Sequence, residues 1–165
     1  MKRLLTGVLV GLALASLPVG ASAAPQPYIT EYLNGVETGV PPPCLGGTTS
    51  PFSGTAQGPL QGVWWASICH GSLVPNANIF GGTFTLQTPS RRVVGDFLKS
   101  RPDMGEGVRL TDEWHFAGAC QQHYKVMGPL NNGYFNATLT HYGAYYWGSC
   151  HVFSARVSGT ALLYI

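Results

Sequence analysis

Asp112, Tyr124 and His141 are the side chains best suited to chemistry in this chain of 165 residues. A carboxylate, a phenol and an imidazole set in one inward row could pass a proton or orient a polar ligand, each perturbing the others' proton affinity. The competing reading is a hydrogen-bonded network that only fixes strand register. It is favoured, because no second acid and no nucleophile motif stands beside the three. Glu113, His123 and Tyr142 fall in the corresponding row of the opposite face, and His115 lies two residues from Glu113. Two imidazoles and a carboxylate can bind zinc. No short ligand motif demands it here, so a solvated cross-strand set is preferred, and neither a metal nor another cofactor is expected.

Aromatic side chains supply the other candidate site. The run Tyr142-Gly143-Ala144-Tyr145-Tyr146-Trp147-Gly148 sets rings among glycines. As a loop it suits sugars or flat apolar ligands; as a strand continuing to a turn at Gly148-Ser149, alternate rings enter the core. Trp64 and Trp65 must point to opposite faces of a strand, and Trp64 is assigned with Tyr142, Tyr145, Tyr146 and Trp147 to a ligand-binding patch. Arg91-Arg92 reads as strand-edge charge, and Asn136-Ala137-Thr138 is a glycosylation sequon that matters only in a glycosylating pathway. No G-x-S-x-G, H-E-x-x-H, phosphate loop or calcium loop occurs.

The elements that must position these residues are strands. No segment after the leader repeats apolar residues at helical spacing over three turns, whereas alternation and turn residues recur throughout. Placing Asn132-Gly133 at a hairpin turn pairs Leu130 with Phe135, Val126 with Leu139 and Tyr124 with His141. Leu130, Val126, Tyr124, Phe135, Ala137, Leu139 and His141 then share one face, and a slip of one residue would scramble that agreement. A three-residue loop Ala117-Gly118-Ala119 pairs Trp114 with Gln122 and Asp112 with Tyr124. Further strands are expected at Gly62–Cys69, Ile79–Gln87, Val93–Leu98 and Val152–Ile165, with a turn at Ser100–Gly105. Gly143 supplies a bulge that restores parity for the last strand. The fold class is therefore all-β: an antiparallel meander of about seven or eight strands, closed as a barrel, with a β-sandwich as the alternative.

Residues 24–61, rich in proline and glycine around Pro41-Pro42-Pro43 and Gly46-Gly47, read as an extended arm over the surface, with a short strand allowed at Tyr28 to Leu33. Residues 62–165 form the β domain. Ahead of the arm, Met1-Lys2-Arg3, the apolar run Leu4 to Leu17 and Ala21-Ser22-Ala23 have the form of a secretion signal cleaved after Ala23. The run is too short for a spanning anchor. Loss of Lys2 and Arg3 brings the nine basic residues down to match the seven acids, which removes any electrostatic case for nucleic acid or membrane binding by the mature chain.

Cys44, Cys69, Cys120 and Cys150 have no C-x-x-C spacing, so disulfides in an oxidising compartment are expected rather than zinc or redox chemistry. Three pairings are open, and the local one, Cys44–Cys69 with Cys120–Cys150, is preferred. At 45% hydrophobic and 10% charged, the chain is neither a disordered acidic tail nor a polybasic arm. The expected product is a secreted or periplasmic binding module without catalysis, its partner a small molecule, a glycan or a surface protein. The alternatives are a small lyase or hydrolase using the Asp112, Tyr124 and His141 row, and a secreted inhibitor or envelope-structural protein.

Overall fold

A computed structural model describes residues 28–39, 42–73 and 75–165; the expected signal sequence lies outside them. The described chain forms β1 (Tyr28–Glu37), β2 (Pro43–Cys44), β3 (Gly47–Gln57), β4 (Gly62–His70), β5 (Asn76–Ala77) and β6 (Ile79–Gln87). These are followed by β7 (Arg92–Phe97), β8 (Gly107–Phe116), β9 (Ala119–Leu130), β10 (Gly133–Tyr146) and β11 (Ser149–Tyr164). A 3-10 turn, Pro102–Met104, occupies the expected reversal before β8. Among the described residues no helix is long and apolar enough to cross a membrane.

Eight strands close into an antiparallel barrel in the order β1, β3, β4, β6, β7, β9, β10, β11 and back to β1. The last strand lies between β10 and β1, as its apolar alternation requires. Closure is thinnest between β7 and β9, which share one residue pair, Phe97 with Leu130. Two asparagines complete that seam. Asn131 Nδ2 donates to Asp96 Oδ2 and its Oδ1 accepts the Asp96 N–H, while Asn132 Nδ2 donates to the Val94 carbonyl.

The asparagines also explain a correction. The β9–β10 turn is Asn131-Asn132, not Asn132-Gly133, because both amides are needed at the seam, and Gly133 already pairs with Leu130. The register therefore moves by two residues, setting Leu139 opposite Tyr124 and His141 opposite Gln122. An even shift leaves every side chain on its expected face, so Tyr124, Val126, Leu130, Phe135, Ala137, Leu139 and His141 all point inward and are buried.

The segment read as an arm is instead structural. β1 and β3 are barrel strands paired on both sides, and β2 adds a short ladder to β3. On β3 small polar side chains face solvent, and on β1 the outward Tyr28, Tyr32 and Val36 are as apolar as the inward Ile29 and Leu33, which hides the alternation that marks a strand. Opposite them sits Trp64, fully buried. Its indole N–H lies 3.2 Å from the Asn34 carbonyl and 3.1 Å from that of Thr55, tying β4 to β1 and β3. Gly35 makes the room: a Cβ there would stand 2.7 Å from the indole ring. Trp64 is thus a core anchor and not a ligand platform; Trp65, its neighbour, is the exposed one. Phe84, Phe97 and Phe135 complete the aromatic filling, with Phe97 and Phe135 meeting edge to face at 5.3 Å.

Both disulfides take the local pairing, Cys44–Cys69 and Cys120–Cys150, and suit an oxidising secreted or periplasmic setting. Replacing Trp64 by Ala should lower the unfolding free energy by about 3–5 kcal/mol through lost packing and unpaired carbonyls. Trp65→Ala on the solvent side of the same strand should cost under about 1 kcal/mol. Urea denaturation of the two variants side by side checks the contrast.

Candidate functional site

Three barrel strands deliver polar side chains to one mouth of a mostly apolar interior, which also holds the buried carboxylate of Glu31, acceptor of the Leu60 N–H. β4 runs inward through Trp64, Ala66 and Ile68 and ends on His70; β3 begins its inward series at Ser50; β10 carries His141 after Leu139. All three polar groups are buried. Ser50 Oγ lies 2.9 Å from His70 Nε2, and His70 Nδ1 lies 2.7 Å from the Gly71 carbonyl. A carbonyl can only accept, so Nδ1 carries the proton and Ser50 donates to Nε2.

Beside this pair, Tyr124 packs on His141 with ring centroids 5.1 Å apart. The Tyr124 hydroxyl donates to Gln122 Oε1, and Gln122 Nε2 donates to Glu113 Oε2, each across 3.2 Å. Burial, with the nearby His70 imidazole adding to it, pushes the His141 pKa down to about 4. Burial and then the Glu113 charge push the Tyr124 phenol upward. Both groups are therefore neutral near pH 7.

The acid in this row is Glu113, not Asp112. The β8–β9 turn has two residues, Ala117 at φ 50° and Gly118 at φ 80°, rather than the three expected. This left-handed pair matches the twist of a two-residue hairpin. It shifts the tip of β8 by one residue, and a bulge at Thr111 restores the original parity from Leu110 onward. Between bulge and turn every side chain changes face. Asp112 stands on the outer surface 3.4 Å from His123, while Glu113 turns toward Gln122. The expected trio is thereby broken, leaving Tyr124 and His141 together.

The same shift divides the proposed metal patch. Glu113 and His115 share the inner side, where His115 stacks on Tyr145 at 3.9 Å, and His123 faces outward with Asp112. Among the described residues no group of three His, Cys, Asp or Glu is placed to hold a metal ion.

A serine bonded to an oriented imidazole is the unit of nucleophilic catalysis. Here the surrounding space decides what it does. The gap beside the pair, walled by Phe52, Ile68, Leu73, Val108, Val126 and Leu139, amounts to about 10 Å³. That is close to the room of one water molecule, far below a substrate pocket. The mouth is a buried polar cluster with little free space beside it. His70 was legible as the end of the inward series of β4; Ser50 was hidden in the segment read as an arm.

The aromatic run is a strand. β10 continues past an irregularity at Tyr142/Gly143, where Phe153 of β11 is the additional residue, and turns at Trp147-Gly148 with φ 53° and 75°. The upper parts of β8, β9, β10 and β11 project beyond the barrel as a flange. Cys120–Cys150 staples β9 to β11 across β10, passing over Gly143, where a Cβ would lie 2.9 Å from Cys150 Sγ. The rings remain outside the core. Tyr146 stacks on His151 at 3.7 Å, Tyr142 lies on the outer wall under Arg156, and Phe116, Phe153 and Trp147 are 78%, 75% and 92% exposed.

An eight-stranded up-and-down barrel with a filled interior and a projecting aromatic flange is the class these features define. Comparison with protein-family models, with curated proteins and with solved structures finds no match to this chain.

Two outcomes follow from the mouth. The unfolded chain takes up the His141 proton near pH 6.5 and the folded chain only near pH 4, so stability is full above about 6.5 and falls as pH drops between those values. The loss reaches about 2–3 kcal/mol near pH 4.5, and His141→Gln should remove that part of the slope in urea titrations at pH 7.5 and 4.5. Separately, a fluorophosphonate probe should leave Ser50 unlabelled in the folded protein; mass-spectrometric detection of an adduct on Ser50 would mark an accessible nucleophile.

Proposed function

We propose that this protein is an exported binding module without catalysis, and that it docks on a solid or cell-surface ligand through the flange. One observation carries the reading. Phe116, Trp147 and Phe153 stand almost fully exposed on a projection that is braced by a disulfide. Clustered apolar surface on a soluble domain is unfavourable in water and marks a contact site. A floppy loop could fold such rings away; a stapled ladder holds them outward, so little ordering entropy is lost on contact.

The chemistry of the flange narrows what it meets. Trp114, Tyr146 and Trp147 combine flat apolar faces with polar edges, while His151 stacks on Tyr146 and His115 on Tyr145. Rings of this kind match the faces of sugar rings and the exposed edges of surface proteins. The tips themselves, Phe116-Ala117-Gly118-Ala119 and Tyr146-Trp147-Gly148-Ser149, carry no charge. The scant space at the mouth supports the non-catalytic side of the reading, since Ser50 and His70 have room for about one water beside them.

The reading is tested by sedimentation with purified peptidoglycan, chitin and cellulose particles. The native protein should pellet with at least one of them. A variant combining Phe116→Ser, Trp147→Ser and Phe153→Ser should bind at least about tenfold more weakly, as expected when interface anchors are removed, with its melting temperature kept. Equal pelleting of the variant, or no pelleting of the native protein with any of the three, would reject the flange as the contact surface.

A further inference from the structure

Apart from the flange, the outer wall of β10, β11, β1 and β3 holds an open trough of about 520 Å³ whose lining mixes the hydroxyl and amide groups of Asn34, Ser53, Thr55, Thr140 and Ser158 with the apolar surface of Val36 and Tyr142. Cross-strand register explains its shape. Thr140, Arg156, Val36 and Ser53 form one row around the barrel, and Thr138, Ser158, Asn34 and Thr55 form the next. Short hydroxyl and amide side chains fill the second row and flank Arg156 and Val36 in the first, where longer ones would level the surface. The volume lies in the range of small-ligand sites, but the trough is open along its length, so it fits a chain laid across the wall better than an enclosed molecule.

Charge on this wall has one dominant sign. Arg156 is exposed, sits 5.8 Å above the Tyr142 ring, and has no carboxylate partner among the described residues, whose ion pairs are Arg101–Glu106 and His123–Asp112. The second row continues through Thr138 into Lys125 and then Arg109. The one acid on these rows, Asp112, is already engaged by His123. A guanidinium lying over an aromatic face keeps its N–H edge free for a planar two-oxygen acceptor.

We infer that this trough binds a carboxylate-bearing glycan, with Arg156 taking the carboxylate, Tyr142 flanking a sugar ring, and Asn34, Ser53, Thr55 and Ser158 meeting its hydroxyls. A single guanidinium matches one singly charged carboxylate per sugar, and the row of hydroxyls matches a neutral polyol between such groups. The site is separate from the flange and does not depend on its role.

Isothermal titration with oligogalacturonate, oligomannuronate and hyaluronan oligosaccharides tests it, with methyl-esterified oligogalacturonate as the uncharged counterpart. At least one of the acidic oligosaccharides should bind with a Kd below about 1 mM. For that ligand, Arg156→Gln should weaken binding at least about tenfold and Arg156→Lys less, since the ammonium keeps the charge but loses the fork. Trp147→Ser should leave it unchanged. Backbone amide shifts on addition of the ligand should centre on Ser53, Tyr142 and Ser158. The inference is overturned if none of the three binds, if the Arg156→Gln protein binds equally well, or if esterification of a galacturonate ligand leaves its affinity intact. It is also overturned if the shifts centre on the flange, which would leave the flange reading standing.

Discussion

Closure of one sheet upon itself is the constraint on which the rest of this molecule depends. A twisted antiparallel sheet exposes two edges unless its first and last strands meet. Here β1 and β11 zip together from Tyr28–Tyr164 to Val36–Arg156. The opposite seam, between β7 and β9, has a single residue pair and is completed by asparagine side chains in place of a continuous ladder. Once closed, the interior admits only what strand alternation sends inward. Trp64, Phe84, Phe97 and Phe135 occupy it so fully that the polar groups at the mouth are left with one another.

That filling separates the molecule from barrels that carry ligands inside. Ser50, His70, Tyr124 and His141 are chemically capable side chains held beside a gap of about 10 Å³. The Ser50–His70 hydrogen bond and the Tyr124–His141 ring contact hold the strands in register, since displacement by one residue would separate both pairs. Surface chemistry is correspondingly rich. The flange presents rings, the wall between β10 and β3 presents hydroxyls and a guanidinium, and Tyr142 lies at the junction of the two.

Strand alternation made the inward faces of β9 and β10 legible, because Val126, Leu130, Phe135 and Leu139 allow only one parity. The turn between them was not legible, since an Asn-Asn pair committed to β7 cannot be told from an Asn-Gly hairpin without knowing the neighbour across the seam. β3 was hidden for a different reason: Gly47–Gln57 keeps small polar residues on its outer face and a proline within it, and gains its stability from partners on either side. The most consequential miss was local. One bulged residue, Thr111, with a turn that places Ala117 at positive φ, exchanged Asp112 for Glu113 beside Tyr124. Parity errors of this kind arise because bulges depend on tertiary strain more than on residue type. The disulfide pairing is the local one because each bridge joins strands that flank a single intervening strand of the meander, β3 in one case and β10 in the other.

The β1–β11 contact has a temporal consequence. All the other long-strand contacts join segments near each other in the chain, so hairpins can assemble quickly as polypeptide becomes available. Tyr28 and Tyr164, by contrast, must find each other across 136 positions. Until β11 has emerged from whatever machinery delivers it, the aromatic interior stays open to solvent and both sheet edges stay adhesive. A newly made molecule is therefore most vulnerable to aggregation just before its last sixteen-residue strand arrives, and any escort protecting it would be needed in that interval.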